Sequence, residues 1–406
     1  MLEEFLVFMI FLFILAAAVQ QDYLFTILYL FTGAFIFGTL WSRKSLAAVS
    51  YKRTFLPRVF LNEEVKVKLE VKNTGWLPVI WLRIHDSLPV DLTIQKYLRY
   101  VFTLNSHGKK EFEYVLQARK RGYYQIGPLF AFSGDLLGLA EDQTGQVPAD
   151  YLTVFPRIVP LTSLKITSQS PMGSLRHTQP IFEDPNRVLS KRDYVAGDSL
   201  RRIDWKATAA TGRLQVKQFE PSIALETSIF LNLNAQEYEF KNRIDSTELA
   251  IVIAASIANW VSERKQSLGL VTNGLDPFLT SEDKARGEIL PHKPIQPIPP
   301  RKGRAHLIRI LDILARVQAE ESASLLEILR REYVNLAWGT TIIIISELID
   351  TETFNQLFTI RRAGLNIMLI LTGQGARFYE IKNQAQYFNI PLYQICSERD
   401  LDIWRR

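Results

Sequence analysis

Between Arg192 and Lys217 the chain reads Arg-Asp-Tyr-Val-Ala-Gly-Asp-Ser-Leu-Arg-Arg-Ile-Asp-Trp-Lys, then Gly212-Arg213-Leu214 and Val216-Lys217. Guanidinium groups interleaved with carboxylates can hold an anionic partner in bidentate hydrogen bonds, or they can pair internally and clamp a loop. Gly197-Asp198 has turn chemistry, and Asp198, Arg201, Arg202 and Asp204 are close enough for internal pairing, which is the reading favoured for the acids. Arg213 and Lys217 stand apart from those acids and are the expected partner-binding cations. With Arg192, Tyr194, Gly197, Asp198, Arg201, Arg202, Asp204, Trp205 and Lys206 they complete a candidate docking surface for a carboxylate, a phosphate or an acidic protein. Arg187 to Lys217 holds eight basic and three acidic residues, nearly the whole formal excess of +6. Acidic interruptions and the lack of a recognised nucleic-acid module argue against DNA or RNA.

Other reactive side chains are sparse. His85, His107, His177, His292 and His306 are scattered without metal-ligand spacing, and Cys396 is the single cysteine. Cys396 is expected to be a small buried apolar residue rather than a nucleophile. Gly373 and Gly375 begin a dinucleotide-like pattern, but Phe378 holds the third glycine position and no Gly-Lys-Ser or Gly-Lys-Thr phosphate loop exists. No cofactor is implied. One cysteine also excludes an internal disulfide framework, in keeping with a reducing compartment.

The positioning elements follow from periodicity. Phe5 to Val19 is apolar, Gln20, Gln21 and Asp22 are polar, and Tyr23 to Trp41 carries no charge. The second run, 19 residues, spans a hydrocarbon core, so residues 1–45 read as a transmembrane helical hairpin. Arg43, Lys44, Lys52, Arg53 and Arg58 follow it, which places the bulk of the chain in the cytoplasm by the positive-inside bias. Ala16 and Ala18 also fit a cleaved signal peptide, although Glu3 and Glu4 replace its usual basic start. Over 50–165 the period changes to two: Val65, Val67, Leu69 and Val71 alternate with charged residues, as do Phe112, Tyr114 and Leu116. This predicts a β-rich, immunoglobulin-like sandwich, with Trp76 and Trp81 packing rather than recognising. Residues 160–186 read as a linker.

Over 226–406 four apolar runs, Ser228 to Leu233, Ser267 to Val271, Thr341 to Ile345 and Asn366 to Leu371, alternate with helical patterns at Asp245 to Lys265, Leu307 to Leu314, the capping box Ser324/Glu327, and Thr353 to Ala363. That alternation predicts a doubly wound α/β sheet with ligands at the strand carboxyl ends. Proline-rich 276–303 reads as a flexible crossover.

The run Arg192, Tyr194, Gly197-Asp198, Arg201, Ile203-Asp204-Trp205-Lys206, Leu214 and Glu220 resembles the signature of the family catalogued as domain of unknown function 58. One departure is Ala209-Ala210, where members often carry Ala-Arg. The resemblance implies a von Willebrand factor A-like α/β domain after the β-rich domain and paired membrane helices. It also implies a MoxR-type AAA ATPase as partner, since the genes are frequently neighbours. Metal-binding von Willebrand factor A domains carry Asp-x-Ser-x-Ser after the first strand; here Asn232-Leu233-Asn234 stands there. A neutral amide in place of the leading carboxylate removes the strongest attraction for a hard cation. Asn232, Asn234, Glu347 and Asp350 are therefore expected to be remnants of a degenerate metal site. The expectation is a membrane-anchored, non-enzymatic adaptor, with residues 166–225 as linker and basic segment. The rival is a divalent-metal-dependent ligand binder or hydrolase using Glu347 and Asp350.

Overall fold

The computed structural model describes residues 2–93, 97–134, 141–143, 147–162, 164, 183–221, 226–277, 293–373 and 378–404. Two compact units divide the chain, Met1–Arg157 and Ile158–Arg406.

The first unit opens with α1 (Leu2–Val19) and α2 (Asp22–Ala47), which break at Gln20, whose φ is 53°. Phe8 of α1 meets Phe31 of α2 edge-on at 6.2 Å. Most apolar side chains of α2 are exposed, whereas Ser42, Ser45 and Leu46 near its end are buried. Ten strands follow: β1 (Val49–Thr54), β2 (Arg58–Phe60), β3 (Glu64–Asn73), β4 (Val79–Ser87), β5 (Tyr97–Leu104), β6 (Lys109–Gln117), β7 (Gly122–Ile126), β8 (Leu129–Gly134), β9 (Glu141–Gln143) and β10 (Asp150–Phe155). They form sheets ordered β1-β3-β6, β2-β10-β7 and β5-β4-β8-β9. The alternation read from the sequence sets the faces: Val65, Val67, Leu69 and Val71 of β3 are buried, and Val67 lies opposite Tyr114. They share a core with Leu82, Ile84, Leu104, Leu116 and Leu152.

A charged network lies inside this unit. Arg53 of β1 donates from Nε and Nη2 to Asp86 of β4 (3.3 and 2.6 Å) and from Nη1 to Asp150 of β10 (2.6 Å). Tyr114 Oη of β6 donates to Asp86 Oδ2 at 2.7 Å. The Arg53 and Asp86 side chains are 3% and 2% exposed. The packing expectation for tryptophan fails at Trp76, which is 68% exposed in the turn before β4, while Trp81 is half-buried on the strand.

The second unit begins with β11 (Glu183–Asp193), α3 (Trp205–Thr211) and β12 (Gln215–Pro221), the two strands pairing as an antiparallel ladder. Then come β13 (Glu226–Leu231), α4 (Arg243–Glu263), β14 (Ser267–Thr272), the short pair β15 (Leu275–Asp276) and β16 (Lys293–Pro294), β17 (Ile298–Arg301), α5 (Arg304–Arg316), α6 (Leu325–Glu332), β18 (Thr341–Ser346), α7 (Thr351–Arg362), β19 (Asn366–Thr372), α8 (Phe378–Tyr387) and β20 (Leu392–Ile395). The main sheet runs β17-β14-β13-β18-β19-β20, parallel throughout except for β17. Of its inner strands, β14 and β18 are buried along their whole length and β13 and β19 beyond their first residue, which is why they read as continuous apolar runs. α4 is long and apolar enough to cross a bilayer, yet most of it is buried against this sheet and it is a core helix.

One expectation needs correction here. Part of the proline-rich crossover is strand: Pro299 and Pro300 lie in β17, an edge where a missing N–H leaves no ladder bond unmade. Residues 278–292, and most of the linker read over 160–186, lie outside the described residues.

Candidate functional site

The strand order reverses between β13 and β18, whose carboxyl ends deliver Asn232 and Ser346-Glu347 side by side. Such switch points are where open α/β sheets collect ligands. Here the side chains are engaged with one another. Asn232 Nδ2 donates to Glu237 Oε2 (2.7 Å) and Ser346 Oγ (2.9 Å), while its Oδ1 accepts from Asn273 Nδ2 (2.8 Å) and Asn234 N (3.2 Å). A carboxylate can only accept and a backbone N–H can only donate, so the amide orientation is fixed from both sides. Asn273 completes the brace by accepting from Leu233 N (2.6 Å) and donating to Ala323 O (2.7 Å). Tyr238 Oη donates to Asn232 O at 2.6 Å.

The expected remnants of a metal site are separated by these bonds. Glu347 is buried, its Oε2 accepting from Glu239 N (3.0 Å) and its Oε1 from Ser246 Oγ (3.4 Å). Asp350 is exposed and caps α7 through Thr353 N (2.8 Å). Asn234 caps the short turn of residues 235–237 through Gln236 N (3.1 Å). No group of three His, Cys, Asp or Glu side chains among the described residues could hold a metal. An amide with both N–H bonds donated and its oxygen doubly used offers a hard cation nothing, so the residues present do not fit one. A cleft of about 580 Å³ opens at the same edge, lined by Gln236, Tyr238, Phe240, Arg243, Glu320 and Glu321 among others.

Glu237, Tyr238, Ser246 and Asn273 were not legible as site residues, since nothing in their spacing marks them. Burial pushes the Glu237 carboxyl up, opposed by the Leu325 N–H and the amides of Asn232 and Asn234. Burial also pushes Glu347 up, against the Glu239 N–H and with the Glu239 charge. A folded carboxyl raised in this way keeps its proton after the unfolded chain has released it. Stability from this group therefore falls as pH rises beyond the usual value near 4.5. Glu347→Gln should raise the melting temperature at neutral pH and leave it unchanged below the ordinary carboxylate range, read by thermal unfolding at a series of pH values.

The signature residues gather at the tip of the β11–β12 ladder. Arg192 forms the bidentate pair with Asp198 (both contacts 2.7 Å), and Asp198 Oδ2 also accepts from Val195 N (2.9 Å), closing the turn at Gly197, whose φ is 109°. These contacts hold Asp198 below the usual carboxylate range. Asp204 caps α3 through Ala207 N (3.1 Å) and pairs with Lys191 at 2.9 Å. Lys191, the capping N–H and the charge of Lys217 together lower its pKa. The acids are thus engaged internally, Asp198 with Arg192 and with the charge of Arg202, and Asp204 with Lys191. Lys217 is half-buried and faces Asp204, whereas Arg201, Lys206 and Arg213 are exposed and enter no ion pair among the described residues. Leu200 and Trp205 are exposed beside them, Tyr194 is half-buried, and Arg202 lies close enough to Asp198 to contribute to its field. Cys396 is exposed, contrary to expectation, and partial burial together with Asp400 pushes its thiol up, away from the nucleophilic thiolate.

The chain therefore joins a β-rich unit to a doubly wound α/β unit that carries a buttressed basic ladder. Residues 190–372, which hold that ladder's tip and most of the sheet, match the model of the family described as protein of unknown function DUF58. The uncharacterized protein YeaD of Bacillus subtilis (strain 168) is 26% identical over 205 residues, 48% of this chain and 48% of that protein. The chain thus spans about half the length of this curated relative. Among solved structures, a CARDB domain from Pyrococcus furiosus is 15% identical, covering 26% of this chain and 91% of that one at a TM-score of 0.21. The C-terminal domain of wzt is 10% identical, covering 27% and 75% at 0.20. Likeness at that level carries no argument.

Proposed function

We propose that this protein is a membrane-anchored, non-enzymatic adaptor whose α/β unit presents a basic surface to an acidic face of a protein partner. The observation that carries the reading is the internal neutralisation of Asp198 and Asp204, which leaves Arg201, Lys206 and Arg213 exposed on the segment that also exposes Trp205. Aromatic and arginine side chains presented together are the composition of interface centres. A MoxR-type AAA ATPase is the partner that the family resemblance implies. The sheet order with an antiparallel third strand, and the crevice between its first and fourth strands, support a von Willebrand factor A-like reading of the unit. The saturated hydrogen bonding of Asn232 supports a form of that domain that recognises partners without a metal. Anchoring is supported by α2, which is long and apolar enough to span a bilayer and is exposed over most of its length, with the apolar stretch Val7–Val19 before it. Arg43 and Lys44 after the span support a cytoplasmic position for the remainder.

The test is binding of the purified ATPase to the full chain in detergent. The double substitution Arg201→Glu, Arg213→Glu is expected to weaken binding by about tenfold or more, since like charges facing across an interface cost at least on the order of 1 kcal/mol. Binding that is unaltered and independent of salt would remove this surface from the interface.

A further inference from the structure

α2 does two things along its length. Residues 22–41 are largely apolar and mostly exposed, whereas Ser42, Ser45 and Leu46 are buried. Twenty residues at the helical rise extend about 30 Å, the thickness of a hydrocarbon core, so Trp41 falls at its boundary. Trp41 Nε1 donates to Pro78 O at 3.1 Å, and the Thr74 N–H and hydroxyl both donate to Ala48 O, at 2.9 and 2.7 Å. The loop 74–78 therefore runs back along the last two turns of the helix, from Ala48 towards the level of Trp41. It is braced: Asn73 Nδ2 donates to Leu77 O (2.8 Å) and Asn105 O (3.1 Å), its Oδ1 accepts from Gly75 N (2.9 Å), and Leu77 is buried. A loop fixed so firmly holds out one large side chain, Trp76, at 68% exposure. Lys44 on α2 and Lys72 on β3 are exposed on the elements that flank the loop, and His107 donates its backbone N–H to Gly75 O (3.2 Å).

An exposed indole on a loop fixed to the end of a spanning helix, with exposed lysines on the flanking elements, matches the amphipathic character of the headgroup layer. We infer that loop 74–78 is a second membrane contact, with Trp76 seated in the lipid headgroup interface, so that the β-rich unit rests on the bilayer. The inference rests on the anchored reading of α2.

Single-cysteine variants of the full chain, built on Cys396→Ser and spin-labelled in lipid nanodiscs, test it. Trp76→Cys reports the loop, Leu30→Cys the exposed face of α2, and Val90→Cys the turn beyond the far end of β4, a strand length of about 30 Å from the loop. The expected result is loss of collisions with a water-soluble nickel chelate at 76 and at 30, with oxygen collisions retained, while the label at 90 collides freely with nickel. A label at 76 as accessible to nickel as the one at 90, with 30 still shielded, overturns the inference and leaves the anchor standing. Nickel access at 30 overturns the anchor and the inference with it.

Discussion

Arg53→Ala is expected to destabilise the β-rich unit by about 3–5 kcal/mol, because it leaves the Asp86 carboxylate buried without its guanidinium. Asp86 is 2% exposed at its side chain and loses both Arg53 contacts at once, keeping among the described residues the Tyr114 hydroxyl. Arg53 also ties β1 to β10 through Asp150, so one substitution loosens strands from all three sheets. The pair itself is a different matter. Removing two charges from water costs nearly what their attraction returns, and a buried pair replaced by apolar side chains of similar size is often neutral or stabilising. Arg53→Met with Asp86→Leu should therefore recover most of what Arg53→Ala loses, with a coupling of several kcal/mol between the two sites. Denaturant unfolding of the single and double variants, followed by tryptophan fluorescence, measures this. A loss below about 1 kcal/mol for Arg53→Ala would mean that water reaches Asp86 and that the network does not tie the strands together.

Legibility in the sequence followed burial. β13, β14, β18 and β19 appear within two residues of the apolar runs that announce them, because a parallel strand covered on both faces must be apolar at every position. The capping box at Ser324 is present in both directions, Ser324 Oγ accepting from Glu327 N and Glu327 accepting from Ser324 N. Elements with weak signals were hidden by the same logic. β20 is a short, half-buried edge strand, and β17 carries prolines that read as breakers, although an edge strand can spare their N–H groups. Trp76 and Cys396 show the limit of burial tendencies: residue type sets an average, and the position of a loop beside α2 or after β20 decides the instance. At the basic tip, the sequence located the charges, and the fold adds Arg192 and Lys191 as partners of Asp198 and Asp204. Asp198 and Asp204 lie in the connection between β11 and β12 and reach back to Arg192 and Lys191 at the end of β11.

The same distinction governs the carboxyl edge, where the change of one atom group should convert a braced corner into a repulsive one. Asn232→Asp replaces an N–H donor 2.7 Å from Glu237 Oε2 with a second carboxylate oxygen. Two carboxylates at that distance cannot both ionise, so the pair retains a proton that the unfolded chain gives up. The folded pKa of one group lies above its unfolded value. The penalty is therefore absent below the ordinary carboxylate range and grows as pH rises through it, reaching about 3–5 kcal/mol by the rule for a buried unpaired charge. Magnesium offers the pair an alternative to the proton. Added at about a hundred times its dissociation constant, it should return roughly 2.7 kcal/mol to the variant, and it should leave the wild-type chain unmoved, whose Asn232 oxygen already accepts two N–H bonds. Thermal unfolding of both chains across pH, with and without magnesium, reads these effects. A variant as stable as wild type at neutral pH would show that the Asn232 amide is not the group that holds Glu237 and Ser346 in place.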